Sequence, residues 1–378
     1  MSDFTSPPVP APPRLSNPPS APRRRRALGW WVAAVAVVTV VGIGIVAAVV
    51  AAQTLGYTAS TPHGSGRRGA LNLEEIILED HGARDKVAVL AIHGVISGDS
   101  TGYGGQSLVD EVRDQLQRME DDDAVKAVVL RVDSPGGEVL ASDEIHDALR
   151  RFQTHNNIPI VACLGSLAAS GGYYVSVPCR WIVAHPLTLT GSIGVIFHGY
   201  NYRGLMDKVG VRPDVVKSGS LKDMFSGELR AEDESPEEKI ILKSLVAESF
   251  SHFKTVIREG RAWAARQNAA ERIVDGHSLS EQWEEFADGR ILSGTQALGL
   301  GLVDELGSFE TAVDRARALA GLDRVNVVTY QTPPRFGDLF RLLGSAKGNR
   351  VSLEIGGLGG MSRLPQGRLY FLSPLHLR

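Results

Sequence analysis

The sequence predicts an α/β domain with a mostly parallel sheet, tethered by one transmembrane helix. From residue 84 onward, apolar runs of strand length alternate with segments of helical period, the pattern of successive βαβ units. Residues 27–52 contain no charge at all, and that stretch exceeds the roughly 20 residues needed to cross a bilayer core. The composition, 43% hydrophobic and 22% charged, is that of a chain able to bury a core.

Eight prolines fall in the first 22 residues with almost no bulky apolar side chains. Residues 1–26 are therefore expected to form a disordered cytoplasmic tail ending in a basic run, Arg23, Arg24, Arg25 and Arg26. Residues 27–52 read as the membrane helix. A cleaved signal peptide has an apolar region of only about 7–15 residues, and Trp30 and Trp31 stand where an interfacial anchor belongs. The four arginines precede the helix and the next basic pair, Arg67 and Arg68, comes well after it. The amino terminus is expected in the cytoplasm and the rest of the chain outside, at the cell membrane.

Residues 53–83 read as a linker with a short amphipathic piece at 73–78. The domain is expected over 84–332, with strands at 87–92, 127–132 and 158–163 separated by helices at 108–119 and 139–152. Strand-like runs at 181–184, 194–197 and 214–216, a long helix from Pro236 to about Gln267 and a final αβ unit through Val328 complete it. Residues 333–378 lack clear periodicity and read as a loosely ordered tail, or else as a docking or regulatory segment.

Net charge is −3 and the basic residues form one run, which leaves no footprint for nucleic acid. Two cysteines, Cys163 and Cys179, without a CxxC pair, do not make a zinc site. They read as buried thiols, although outside the cytoplasm a bond between them stays open.

Chemistry is concentrated in four glycine-containing loops, each after an expected strand, where open α/β sheets build their sites. In Asp133-Ser134-Pro135-Gly136-Gly137 the adjacent glycines let backbone N–H groups approach an oxyanion without Cβ hindrance. In Gly165 through Tyr174, Ser170 stands before Gly171 and Gly172 at a strand-to-helix turn, while Ser166 reads as a helix cap. The third loop is Thr190-Gly191-Ser192-Ile193-Gly194, and the fourth, around Ser218-Gly219-Ser220-Leu221-Lys222-Asp223, carries Lys217 and Lys222. A serine becomes a nucleophile when a base takes its proton. None of His93, His146, His155, His185 or His198 lies in the context of a triad, and a lysine can replace histidine only when neutral, in a shielded site.

Taken together, DSPGGEV, SLAASGGYYVS, TGSIGVI, SGSLKD and GRILSGTQALGLGLVDELG (289–307) resemble the signal peptide peptidase A family. These are membrane-bound serine–lysine peptidases related to the Clp protease and crotonase folds. The resemblance spans about residues 85 to 320 and implies a Clp protease/crotonase-like repeated ββα fold. It implies Ser170 as nucleophile, Lys222 as base, Ser192 as the residue that orients the lysine, and Gly137 and Gly171 as oxyanion donors, with Gly136 a close rival for the first. Ser170 and Lys222 lie 52 positions apart, as in a short single-repeat member. Asp133 replaces a commoner asparagine, and Met224-Phe225 a commoner small-residue continuation.

The resemblance further implies endopeptidase activity through an acyl-enzyme on remnant signal peptides and other hydrophobic peptides near the bilayer. It also implies a homo-oligomeric ring in which serine and lysine can come from neighbouring protomers. No GxxxxGK[ST] motif is present, so neither nucleotide, metal nor any other cofactor is expected. A crotonase-like acyl-coenzyme A enzyme would share the fold but not predict the dyad, and a non-catalytic membrane scaffold would not need it.

Overall fold

A computed structural model describes residues 73–99, residues 106–332 except 231, 234 and 274, and residues 369–372. The expected tail and transmembrane helix, residues 1–52, lie outside the described residues. Among the described residues no helix is long and apolar enough to cross a membrane.

The chain begins with strand β1 (Glu74–Glu79) and β2 (Lys86–His93), followed by helix α1 (Leu108–Glu120). Next come β3 (Val125–Ser134), β4 (Gly136–Glu138) and helix α2 (Val139–Asn156), an explicit ββα unit. The central stretch holds β5 (Ile160–Ala168), the short helix α3 (Gly171–Ser176), β6 (Trp181–Ala184), β7 (Leu189–Gly191) and β8 (Ile196–Phe197). Helices α4 (Arg203–Val209) and α5 (Pro236–Ala270) precede β9 (Ile291–Ser293), α6 (Gly294–Gly299), β10 (Glu305–Leu306), α7 (Phe309–Leu319) and β11 (Asn326–Gln331). The last strand is β12 (Leu369–Leu372).

The main sheet runs β1-β11-β2-β3-β5-β6-β10, and β7 joins it beside β5 with β9 on its far side. From β11 to β10 every pairing along this path is parallel. Parallel strands are covered on both faces, which explains why β2, β3 and β5 are nearly continuous Val, Ile, Leu and Ala. Ile145, Leu149 and Phe152 of α2, with Val112 and Leu116 of α1, fill one face around Leu90, Leu130 and Leu164. Ala312 and Ala316 of α7 pack on Val129, Val161 and Val183 on the other. Ser107 caps α1 by accepting from the Asp110 N–H (3.1 Å). Ser235 caps α5 with Pro236 in its first turn, the pairing that favours a helix start.

Four sequence expectations change. Residues 73–78 are not a linker piece: Glu74–Glu79 is an edge strand antiparallel to β11, so the sheet takes in residues before 84. Residues 214–216 form no strand; Val216, 97% exposed, has β-branched neighbours but no strand to pair with. Only Ile196 and Phe197 of the expected 194–197 run are a strand. Within the tail, Leu369–Leu372 is a strand placed between β4 and β8.

Where β2 and β11 meet the end of α1, Asp122 accepts from the Tyr330 hydroxyl (2.7 Å) and from Lys86 Nζ (3.0 Å). Burial by itself raises the Asp122 carboxyl, but these hydrogen bonds and the Lys86 charge outweigh it and hold the group at about 2. A depressed carboxyl stabilises the fold above its unfolded value, and the gain is lost as pH falls through the folded one. Asp122→Asn should therefore cost about 1–3 kcal/mol near neutral pH. The gap between the variant and the parent in thermal melts should shrink between about pH 4 and pH 2.

Candidate active site

Strand β5 ends at Ala168, and two residues later Ser170 opens α3 with φ 53° and ψ −117°. A serine in this conformation stands off a strand-to-helix turn, at a backbone cost on the order of 1–3 kcal/mol that surrounding bonds must offset. Those bonds are present. Ala169 N–H donates to the Ser134 carbonyl (3.1 Å), Ser170 N–H to the Gly191 carbonyl (2.8 Å), and Tyr174 N–H to the Ser170 carbonyl (2.8 Å). The Ser170 Oγ is buried and has no hydrogen-bond partner among the described residues.

Gly171 and Gly172 are required by close approach. A Cβ on Gly172 would lie 2.6 Å from the Ser134 carbonyl oxygen, and one on Gly171 would lie 3.1 Å from the Gly137 nitrogen and 2.7 Å from Ser142 Oγ. The first and second loops therefore meet. In the first loop Gly136 has φ +96°, and its N–H donates to Ser134 Oγ (3.1 Å). Ile96 N–H donates to the Gly136 carbonyl (2.9 Å) and Glu138 N–H to the Ile96 carbonyl (2.8 Å). The Gly136 N–H is thus committed to Ser134, while Gly137 stands opposite Phe371 of β12. The Gly171 N–H, in the first turn of α3, has no intrahelical acceptor.

The third loop joins the same point. Gly191 accepts from Ser170, Thr190 Oγ1 donates to the Ala168 carbonyl (2.6 Å), and Ser192, at φ 50° and 3% exposed, donates its N–H to the Arg290 carbonyl (2.7 Å). The fourth loop does not. Lys222 is exposed, and among the described residues no hydrogen bond joins it to Ser170 or Ser192. The two lysines of that loop differ: Lys217 Nζ bonds the Asp223 carboxylate (2.7 Å) and the Ser220 carbonyl (3.1 Å), whereas no such partner holds Lys222.

Cys163 and Cys179 are both buried and unbonded, which closes the question of a bond between them. Burial pushes the Cys163 thiol up to about 11 and the Cys179 thiol well above its usual range, so both are inert packing groups. Among the described residues no histidine hydrogen-bonds Ser170. His146, in edge-on contact with the Tyr174 ring (5.4 Å), is held by burial below the usual imidazole range, against the opposing pull of Asp143 and Asp147. Among the described residues no group of three or more His, Cys, Asp or Glu side chains is placed to hold a metal ion.

Two neighbours of the site escape a sequence reading. Tyr174, on the same turn of helix as Ser170, donates its hydroxyl to Asp143 (2.5 Å), and Phe371 of β12 stacks on the Tyr174 ring (4.9 Å, 27°). The run Leu369-Tyr370-Phe371-Leu372 was the available signal, four apolar residues with two strong strand formers at the centre.

A mixed α/β domain that presents an unpartnered serine on a strained turn, beside glycine amides, defines the class of a serine hydrolase. The Clp protease family model matches residues 101–180, and that of Peptidase family S49 matches residues 153–323. An Enterococcus faecium protein provisionally named signal peptide peptidase SppA is 35% identical over 266 residues, covering 70% of this chain and 72% of that one. A protease-named protein of Synechocystis is 42% identical over 209 residues, covering 55% and 68%. Protease 4 of Salmonella typhi is 34% identical over 256 residues, which is 67% of this chain but 38% of that longer one. The chain belongs to peptidase family S49, and its activity is that of a serine protease.

Proposed function

We propose that the protein is a membrane-anchored endopeptidase in which Ser170 attacks the peptide carbonyl and Lys222 is the base. The observation that carries this is Ser170 itself, a buried hydroxyl with no partner on a strained strand-to-helix turn between two glycine loops. Neutral Lys222 takes the Ser170 proton as Oγ bonds to the carbonyl carbon, and the N–H groups of Gly137 and Gly171 donate to the oxygen as it becomes negative. The C–N bond then breaks, the lysinium returns its proton to the leaving amine, and water repeats the sequence on the acyl-enzyme. Ser192, fixed beside Gly191, orients the lysine. Gly136 shapes the first loop rather than donating to the oxyanion, because its N–H is held by Ser134.

Lys222 reaches the site by assembly. The segment around it exposes Leu205 (64%), Val209, Val211 and Val215 as well as Val216, an apolar surface of the kind that marks protein interfaces. A second copy packed there completes the dyad, in keeping with a homo-oligomeric ring. The uncharged run at 27–52 anchors the domain at the cell membrane with its amino terminus cytoplasmic. That location suits hydrophobic substrates such as signal-peptide remnants.

Mixing tests the assembly. Ser170→Ala and Lys222→Met chains, each inactive alone on a hydrophobic peptide ester, should recover activity when co-assembled, because one interface then holds an intact serine and an intact lysine. No recovery in co-assembled mixtures would place both groups in one chain.

A further inference from the structure

We propose that a cavity walled by the later turns of α2 and α5 binds an anionic lipid, with the phosphate of the headgroup on Arg151 and Arg266 and the apolar part on Trp263, Val256 and Pro178. This rests on the reading of residues 27–52 as a membrane anchor and adds to it a second, headgroup-selective contact with the bilayer.

Helical spacing builds the walls. Glu259, Trp263 and Arg266 follow at i, i+4 and i+7 along α5, and Arg151 and His155 at i and i+4 along α2, so each set shares a helix face. With Val256, and with Pro178 just after α3, these residues line a cavity of about 720 Å³, large enough for a small organic ligand. Val256 is buried and Trp263 half-buried, which makes the floor apolar.

The charges above that floor are only partly paired. Arg150 lies 3.5 Å from Asp147, and Arg258 bonds Glu284 (2.7 Å), so a carboxylate already faces each of these two. Arg151 and Arg266 are exposed and have no ion pair among the described residues. Glu259 is the one carboxylate on the cavity wall, set against these two unpaired guanidinium groups. His146 adds no charge, because burial holds its imidazole neutral, and its Nδ1 stands 3.4 Å from Asp147. Guanidinium groups pair with phosphate oxygens through two parallel N–H bonds. A wholly polar anion would use these arginines and leave the Trp263 face in water, whereas an amphiphile covers both, and burying its apolar part adds the larger gain.

The bilayer supplies such a molecule. Between the uncharged run and Leu73, the first described residue, lie 20 residues, at most about 70 Å of extended chain. A tether of that length keeps headgroups at a high effective concentration, so a site of modest affinity is filled.

Native mass spectrometry of the full chain in a neutral maltoside detergent counts the lipid bound per chain. Dihexanoyl phosphatidylglycerol should bind at one molecule per chain, and dihexanoyl phosphatidylcholine, with the same tails but no net charge, about tenfold more weakly. Glycerol 3-phosphate, a phosphate ester without tails, should not bind at the same concentrations. A chain with Arg151→Gln and Arg266→Gln should bind phosphatidylglycerol no better than phosphatidylcholine. Its melting temperature should not change, because neither arginine has an ion pair to lose; if it falls, the comparison of the two lipids on the parent chain decides. Equal affinity of the parent for both lipids, or unaltered phosphatidylglycerol binding in a stably folded double variant, overturns the proposal. Glycerol 3-phosphate binding as tightly as the lipid would also overturn it, in favour of a free phosphate ester. The anchor is tested apart: alkaline carbonate should leave the full chain on membranes, and its release would contradict the anchor without altering the result in detergent.

Discussion

Replacing Ser170 with alanine is expected to lower kcat for a hydrophobic peptide by about 10⁴–10⁶-fold, the loss seen when a nucleophile is removed from a serine hydrolase. The fold should not suffer. The Ser170 Oγ is buried without a hydrogen bond, so deleting it leaves no polar group unpaired and removes one that was. The positive φ of 53° is held by main-chain bonds to Gly191 and Tyr174, which alanine keeps. Activity should vanish while the melting temperature stays level or rises slightly, checked by hydrolysis and by calorimetry on the same sample. A variant that loses both would mean that Ser170 is a structural residue.

Lys222→Met is expected to cost about 10²–10⁴-fold in kcat, the contribution of a positioned general base. Lys222→Arg should not restore it, because a guanidinium stays charged and cannot accept the serine proton. The neighbouring lysine provides the contrast. Lys217 is tied to Asp223 and the Ser220 carbonyl, so it serves the loop's shape, and its methionine variant should retain most of the turnover. Both are measured with saturating substrate, so that kcat rather than binding is compared.

Much of the fold was legible because a parallel sheet buries both faces of its strands. Residues 181–184 and the cores of β2, β3 and β5 stand out as unbroken apolar runs, and Ser235-Pro236 announces the long helix. Of the strands that were missed, Glu74–Glu79 is an edge strand and Leu369–Leu372 an insertion strand. Their partners lie far away in sequence, and nothing local specifies such pairings. The converse error at 214–216 has the same origin, since β-branched residues favour a strand only where another strand is present.

At the site, the Ser-Gly-Gly run pointed to Ser170, but not to its backbone angles or to its lack of a partner. Gly136 and Gly137 are adjacent and identical in sequence; the structure distinguishes their surroundings by one hydrogen bond, from Gly136 N–H to Ser134 Oγ. The two lysines of the fourth loop, of which only Lys222 lies in the SGSLKD motif, are distinct in structure, Lys217 paired with Asp223 and Lys222 exposed. The proposed meeting of Lys222 with Ser170 rests on assembly, for which the exposed valines beside the lysine offer a surface.

The central claim, that Ser170 is the nucleophile activated by Lys222, meets its most direct test in covalent labelling. The detergent-solubilised full chain is treated with a serine-directed peptidyl phosphonate and the modified residue is mapped by mass spectrometry. Label on Ser170, formed at a rate that collapses in Lys222→Met, is the expected result. Label on another serine, or an unchanged rate at Ser170 in the Lys222→Met chain, would contradict it.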